Sequence, residues 1–255
     1  MTLRIHAAVA NLRPAPNTNL APLTQLPAGH PVEPLGAPQG KFRPCRATID
    51  GFSLDGFVHV SLLRDEINPM VDRLIEAVGR EFKFFKFGQQ FEQHPLSQER
   101  IKSYWHSFQA TAPPVSEPWS AAFISFCMKK ADLALSFKFA GRHTTYLSDS
   151  KTAKLGNDAS RAYWAYKLSE RVVTVGDLVG AFRTGGVCGT ATKTYDSLPG
   201  DFCAHVDVVV AVHGATALVV GGNVGNTVMF KEIPLTPNGR VKAGDKRITT
   251  MGRNF

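Results

Sequence analysis

Apolar residues change their rhythm twice along this chain. Before Asn68 they come in short β-like runs at 5–9, 32–35, 42–48 and 57–60, punctuated by Pro, Gly, Asn and Asp at 14–19, 27–30 and 50–51. Short strands at close spacing with turn signals between them predict a small barrel or sandwich. Asn68-Pro69 then opens a different pattern, since Asn caps a helix and Pro suits its first position. Val71, Leu74, Ile75 and Val78 follow at the i, i+3, i+4, i+7 spacing of one buried helix face. A second helix is predicted over 97–108, burying Ile101, Tyr104, Trp105 and Phe108, and the Pro-rich stretch 112–118 ends it. A third runs from Trp119 to about Lys130, and residues 160–168 read as a further short helix. From Asp177 the text turns to β, with runs at 178–182, 205–212, 217–220 and 227–233 and a hairpin turn at His213-Gly214. Helices followed by antiparallel strands make an α+β arrangement rather than a doubly wound sheet. The expected organisation is two modules, a small β unit over 1–64 and an α+β domain over 65–255.

Composition narrows the class without changing that outline. With 44% hydrophobic and 20% charged residues in 255, the chain can bury a core. No apolar run approaches the ~18 residues that span a bilayer, so no transmembrane segment is expected. The amino-terminal text has neither a continuous apolar stretch nor a small-residue cleavage site, so a protein made in the cytoplasm without a signal peptide is expected. Lys and Arg number 29 against 21 Asp and Glu, a net +8 that favours polyanionic partners. The basic residues are scattered rather than striped, which argues against nucleic acid. The Phe-rich run 82–91 is expected to wrap the module boundary. Cys45, Cys127, Cys188 and Cys203 form no C-x-x-C pair and no zinc spacing, so no metal or other cofactor is expected. A Cys188–Cys203 bridge is conceivable, but free thiols are the expectation.

Three motifs in a fixed order carry the candidate chemistry. Pro118-Trp119-Ser120-Ala121-Ala122-Phe123 starts the third helix, His205-Val206-Asp207-Val208-Val209 opens a strand, and Gly221-Gly222-Asn223 leaves the next one. A nucleophile at a helix N-terminus gains from the local positive potential, a His on a neighbouring strand can take its proton, and an Asn or acid can fix the imidazole. Ser120, His205 and Asn223 are the candidate catalytic trio, with Asp207 the rival to Asn223 because it alternates onto the face of His205. Trp119, His143 and Tyr146 are candidate cleft residues for substrate. Ser120 also fits the ordinary helix-start role of serine, and Cys127, two turns along the helix, is the rival nucleophile. Position favours Ser120.

The order and wording of these motifs resemble the NlpC and CHAP families of papain-like cell-wall hydrolases over residues 67–230, with Ser120 where those enzymes carry Cys. The wider pattern, with His143-Thr144-Thr145-Tyr146 and Gly176-Asp177-Leu178-Val179, resembles a Ser-bearing branch. Upstream, Asn11-Leu12-Arg13-Pro14, Leu26-Pro27-Ala28-Gly29 through Leu35-Gly36, and Gly56-Phe57-Val58-His59 resemble the bacterial SH3 (SH3b) targeting domain. The resemblance implies an SH3-like β-barrel that binds cell wall, followed by a papain-like domain with helices on an antiparallel sheet. It further implies a peptidoglycan hydrolase, an endopeptidase or amidase, acting on stem peptides in the periplasm or at the extracellular wall. In that setting it would be a delivered antibacterial toxin, opposed by an immunity protein, or a lysin. Two other classes stay open: an inactive wall-binding protein, and an acyl transferase or esterase on the same fold.

Overall fold

The computed structural model describes residues 2–255. Its amino-terminal unit holds seven strands: β1 (Leu3–Ile5), β2 (Val9–Leu12), β3 (Thr24–Pro27), β4 (Pro31–Pro34), β5 (Phe42–Ile49), β6 (Phe52–His59) and β7 (Leu63–Asp65). They form an antiparallel five-stranded sheet, β6-β5-β4-β1-β7, and a separate β2–β3 ribbon joined to it by a bridge between Arg13 and Phe57. Ile5, Leu12, Leu26, Val32, Ala47 and Val58 share one small core between sheet and ribbon. The closed SH3-like barrel expected from the motifs is not seen, because no sheet closes among the described residues. Proline explains part of this: Pro27, Pro31 and Pro34 sit within or at the ends of short strands and have no N–H to extend the ladder. The Asp50-Gly51 turn joins β5 to β6 with both residues at positive φ, 52° and 87°, the backbone of a tight hairpin. Cys45 lies in this core, where burial pushes its thiol up to about 11.

The second unit begins at α1 (Pro69–Phe84), capped by the Asn68 side chain, which accepts from the Val71 N–H at 2.9 Å. The periodic residues of the sequence, with Phe82, form its buried face. α2 (Pro95–His106) and α3 (Ser120–Ala131) follow close to the predicted bounds. α4 (His143–Leu155) was hidden in a polar stretch, because its Thr, Ser and Asp residues are weak helix formers. The short helix expected at 160–168 is instead β8 (Tyr163–Tyr166), whose Tyr163 and Ala165 alternate inward as a strand requires. β9 (Leu178–Phe182), β10 (Ala204–His213), β11 (Thr216–Val224), β12 (Thr227–Pro234) and β13 (Arg247–Arg253) complete an antiparallel sheet ordered β12-β11-β10-β9-β13-β8. The architecture is therefore α+β with antiparallel sheets. Among the described residues no helix is long and apolar enough to cross a membrane.

Both faces of this sheet are covered, which explains the unbroken Val run of β10. Val206, Val208 and Val210 join the helices in the large core, while Val209 packs in a second core with Val179, Val219 and Ile233. Asp177 of the Gly-Asp-Leu-Val motif is fully buried and structural. It takes two hydrogen bonds from Arg171 (3.0 and 2.9 Å) and the backbone N–H groups of Thr174 and Arg253. Glu81 of α1 is likewise buried, held by Arg100 and by the Tyr104 hydroxyl at 2.7 Å. The two units meet along α1: Arg4 pairs with Glu76 at 2.8 Å and Arg64 with Asp72 at 2.7 Å. Gly29 lies so close to α1 that a Cβ there would fall 2.6 Å from the Glu76 nitrogen.

Candidate active site

Ser120 is the first residue of α3, where free backbone N–H groups and the helix dipole favour negative charge. Its Oγ lies 2.7 Å from Nε2 of His143, the first residue of α4. The other ring nitrogen of His143 meets the hydroxyl of Tyr146, one turn further along the same helix. Tyr146 is fully buried, and among the described residues its hydroxyl has no other partner. Its proton is therefore satisfied by donation to Nδ1, which leaves Nε2 of His143 as the donor to Ser120. Burial drives the His143 imidazole well below the usual histidine range, with the nearby His205 and Arg183 acting in the same direction.

A second imidazole stands beside the first. His205 opens β10, and its ring meets that of His143 edge to face, with centroids 5.3 Å apart. Arg183, just past β9, donates from Nη2 to His205 Nδ1 at 2.8 Å. A guanidinium can only donate, so Nδ1 is an acceptor and Nε2 carries the hydrogen, directed at Asp207 Oδ1 at 3.0 Å. The other Asp207 oxygen takes a 2.6 Å bond from Lys231 Nζ of β12. Burial alone would raise the Asp207 carboxyl, but His205 and Lys231 outweigh it and hold it well below the usual carboxylate range. His205 is itself lowered by burial, against the opposing pull of Asp207.

The two glycines before Asn223 make room for this cluster. A Cβ at Gly221 would run into Asp207 Oδ1 and lie 2.9 Å from His205 Nε2. One at Gly222 would press within 2.6 Å of Phe123 and 2.9 Å of Trp119, forcing α3 off the sheet. The Gly-Gly pair is thus a packing requirement of the site, which no periodicity in the sequence reveals.

Several sequence expectations need correction. The hydrogen bond of Ser120 goes to His143 and not to His205. Asn223 sits at φ 55° within the bulge near the end of β11, and its side chain makes no hydrogen bond among the described residues. Asp207 holds the place beside His205 expected for it, since a strand's period of two puts both on one face. Trp119 is fully buried, stacked on Phe85 and donating to Glu92 at 2.8 Å, so it supports the helix start from within the core. Tyr146 lies beneath His143 rather than in the cleft. Cys127 is fully buried, and burial beside Glu81 pushes its thiol well above the usual range, away from any nucleophilic role.

Ser120 and His143 line a cleft of about 830 Å³, walled by the Pro113–Pro118 turn on one side and the loop between β9 and β10 on the other. An adjoining groove of about 530 Å³ holds His205, Asn223 and Lys231, and Arg183 borders both. Contrary to the expectation of free thiols, Cys188 and Cys203 are bridged, with Cα atoms 5.4 Å apart, and staple the loop that forms the second wall. Exchanging both for serine is expected to lower unfolding free energy by about 3 kcal/mol, the loop-closure value for the 15-residue separation. Urea unfolding measures this, and a change below about 1 kcal/mol would mean that the loop is ordered without its bridge. No sequence motif marks Arg183, Lys231 or the bridge as features of the site. Arg183 and Lys231 are isolated cations in unremarkable text.

Residues 87–255 match the family described as "Uncharacterized protein conserved in bacteria (DUF2272)", a span that includes every site residue above. Among solved structures, NlpC2 from Trichomonas vaginalis is 13% identical at a TM-score of 0.31, the alignment covering 100% of this chain and 73% of that one. NlpC1 from the same organism is 12% identical at 0.33, covering 100% and 69%. A shared fold does not follow from overlaps this low. No curated protein matches the chain significantly in sequence.

Proposed function

The chain belongs to the DUF2272 family, and on that premise we propose that it is a serine hydrolase that cuts an amide bond in the peptide of bacterial cell wall. The observation that carries the chemistry is Ser120 Oγ at a helix N-terminus, hydrogen-bonded to one imidazole whose ring meets a second imidazole backed by an ionised carboxylate. Ser120 is the nucleophile. His205 takes its proton, because the imidazolium so formed is stabilised by Asp207, whereas His143 is backed only by a neutral phenol. His143 holds Ser120 Oγ by donation and keeps it aimed into the cleft.

Support for the substrate class comes from the Pro-Trp-Ser-Ala-Ala-Phe, His-Val-x-x-x-Val and Gly-Gly-Asn motifs, which resemble those of NlpC and CHAP wall hydrolases. The SH3b-like motif order supports a wall-binding role for the amino-terminal unit, and the +8 charge suits the acidic polymers of an envelope. The Cys188–Cys203 bridge favours action in an oxidising compartment, the periplasm or outside. One observation favours a non-enzymatic wall-binding role instead: the His205 Nδ1 lone pair is occupied by Arg183. Incubation of purified sacculi with the protein, followed by mass analysis, separates the two. New amine termini on released fragments support the hydrolase; co-sedimentation without fragments overturns it.

A further inference from the structure

We propose that Arg183 is a carboxylate receptor that gates His205, so that the site accepts peptides bearing a carboxylate next to the bond to be cut. This rests on the hydrolase reading above and names its substrate more closely. Arg183 is exposed, stands on the ridge shared by the two grooves, and has no carboxylate within ion-pair range among the described residues. The other cations of these grooves are already matched: Arg142 faces Asp201 at 2.6 Å and Lys231 faces Asp207 at 2.6 Å. Arg183 thus presents a guanidinium that feels Asp207 only at a distance and has no direct ion-pair partner among the described residues, with a single N–H given to a neutral imidazole.

A carboxylate offers that guanidinium two parallel, charge-assisted hydrogen bonds, a stronger match than one bond to a ring nitrogen. Binding breaks the Nη2–H···Nδ1 bond and forms N–H···O bonds, with no proton transferred. One event then anchors the ligand and uncovers the His205 lone pair that must receive the Ser120 proton. Asp207 continues to hold Nε2, so the imidazole keeps its tautomer while its working face opens. Without a carboxylate ligand the base stays capped, and idle hydrolysis by a loaded nucleophile is suppressed.

The test follows the His205 Nδ1 resonance of the full-length, ¹⁵N-labelled protein during titration with acetate or acetamide. Acetate is expected to shift it saturably towards the position of an unbonded imine nitrogen, acetamide to leave it still, and Arg183→Gln to start at the shifted position and not respond. In Ser120→Ala protein, a stem tripeptide with a free glutamate α-carboxylate is expected to bind about tenfold more tightly than its carboxamide, a preference that Arg183→Gln removes. An unmoved resonance with acetate, or an equal shift in Arg183→Gln, overturns the gate even if sacculi are cut. A positive acetate titration with neither peptide bound keeps the receptor and sinks the wall-peptide substrate.

Discussion

Replacement of Ser120 by alanine is expected to lower turnover of wall fragments by about 10⁶-fold, the scale seen when a serine nucleophile is removed from a cooperating site. The two histidines are expected to separate. His205→Ala should cost about 10⁴-fold, the upper end for a general base, because it removes the only imidazole backed by an ionised carboxylate. His143→Ala should cost about 10²-fold, since donation to Ser120 Oγ positions the nucleophile without accepting its proton. Cys127→Ser should leave kcat in place and act on stability alone, because that thiol is buried in the core. Single-turnover rates on a defined muropeptide, with unfolding curves as folding control, decide the order. A larger loss for His143→Ala than for His205→Ala would transfer the base to α4.

The second large effect is on stability. Arg100→Ala is expected to cost about 3 kcal/mol, the lower end for stranding one partner of a buried pair, since Arg100 itself is about one-third exposed. Glu81 has 2% of its side chain accessible and would keep only the Tyr104 hydroxyl as a partner. The loss would reach the site, because the Tyr104 ring packs on Phe123 at 5.8 Å and Phe126 at 4.9 Å, and through them on α3. Glu81→Gln combined with Arg100→Ala should recover part of the loss, as no charge is then left buried. Denaturant unfolding of the two variants against the wild type measures this, and a cost below about 1 kcal/mol for Arg100→Ala would mean that water reaches Glu81.

What could be read from sequence divides along a physical line. Local signals were legible: the Asn68-Pro69 cap, the periodic face of α1, the Val runs of β9 to β12, and Ser120 at a helix start. The alternation rule also placed Asp207 beside His205. Long-range pairings were not legible. That Ser120 would meet His143, 23 residues on, depends on how α3 and α4 cross, and α4 itself was hidden by weak helix formers. β13 carries Thr, Gly and Arg, too polar a text to announce a strand buried between β9 and β8. The motif order at the amino terminus called for a barrel, yet it fixes turns and register more than closure, and an open sheet with a ribbon satisfies the same turns.

The sheet that is buried on both faces has a consequence for how such a chain can diversify. From Val206 to Ala211 every side chain is buried, so exchanges there are confined to small apolar swaps. The loop from β9 to β10 is anchored in the core by Tyr195 and Leu198 and tied by the Cys188–Cys203 bridge, but its first residues stand outside that restriction, with Val187 fully exposed. Ligand preference can therefore drift through Val187, Phe202 and the neighbourhood of Arg183 while the strand that carries His205 and Asp207 stays fixed. A library restricted to residues 184–187 would sample new specificities without touching the bridge or the core anchors of that loop.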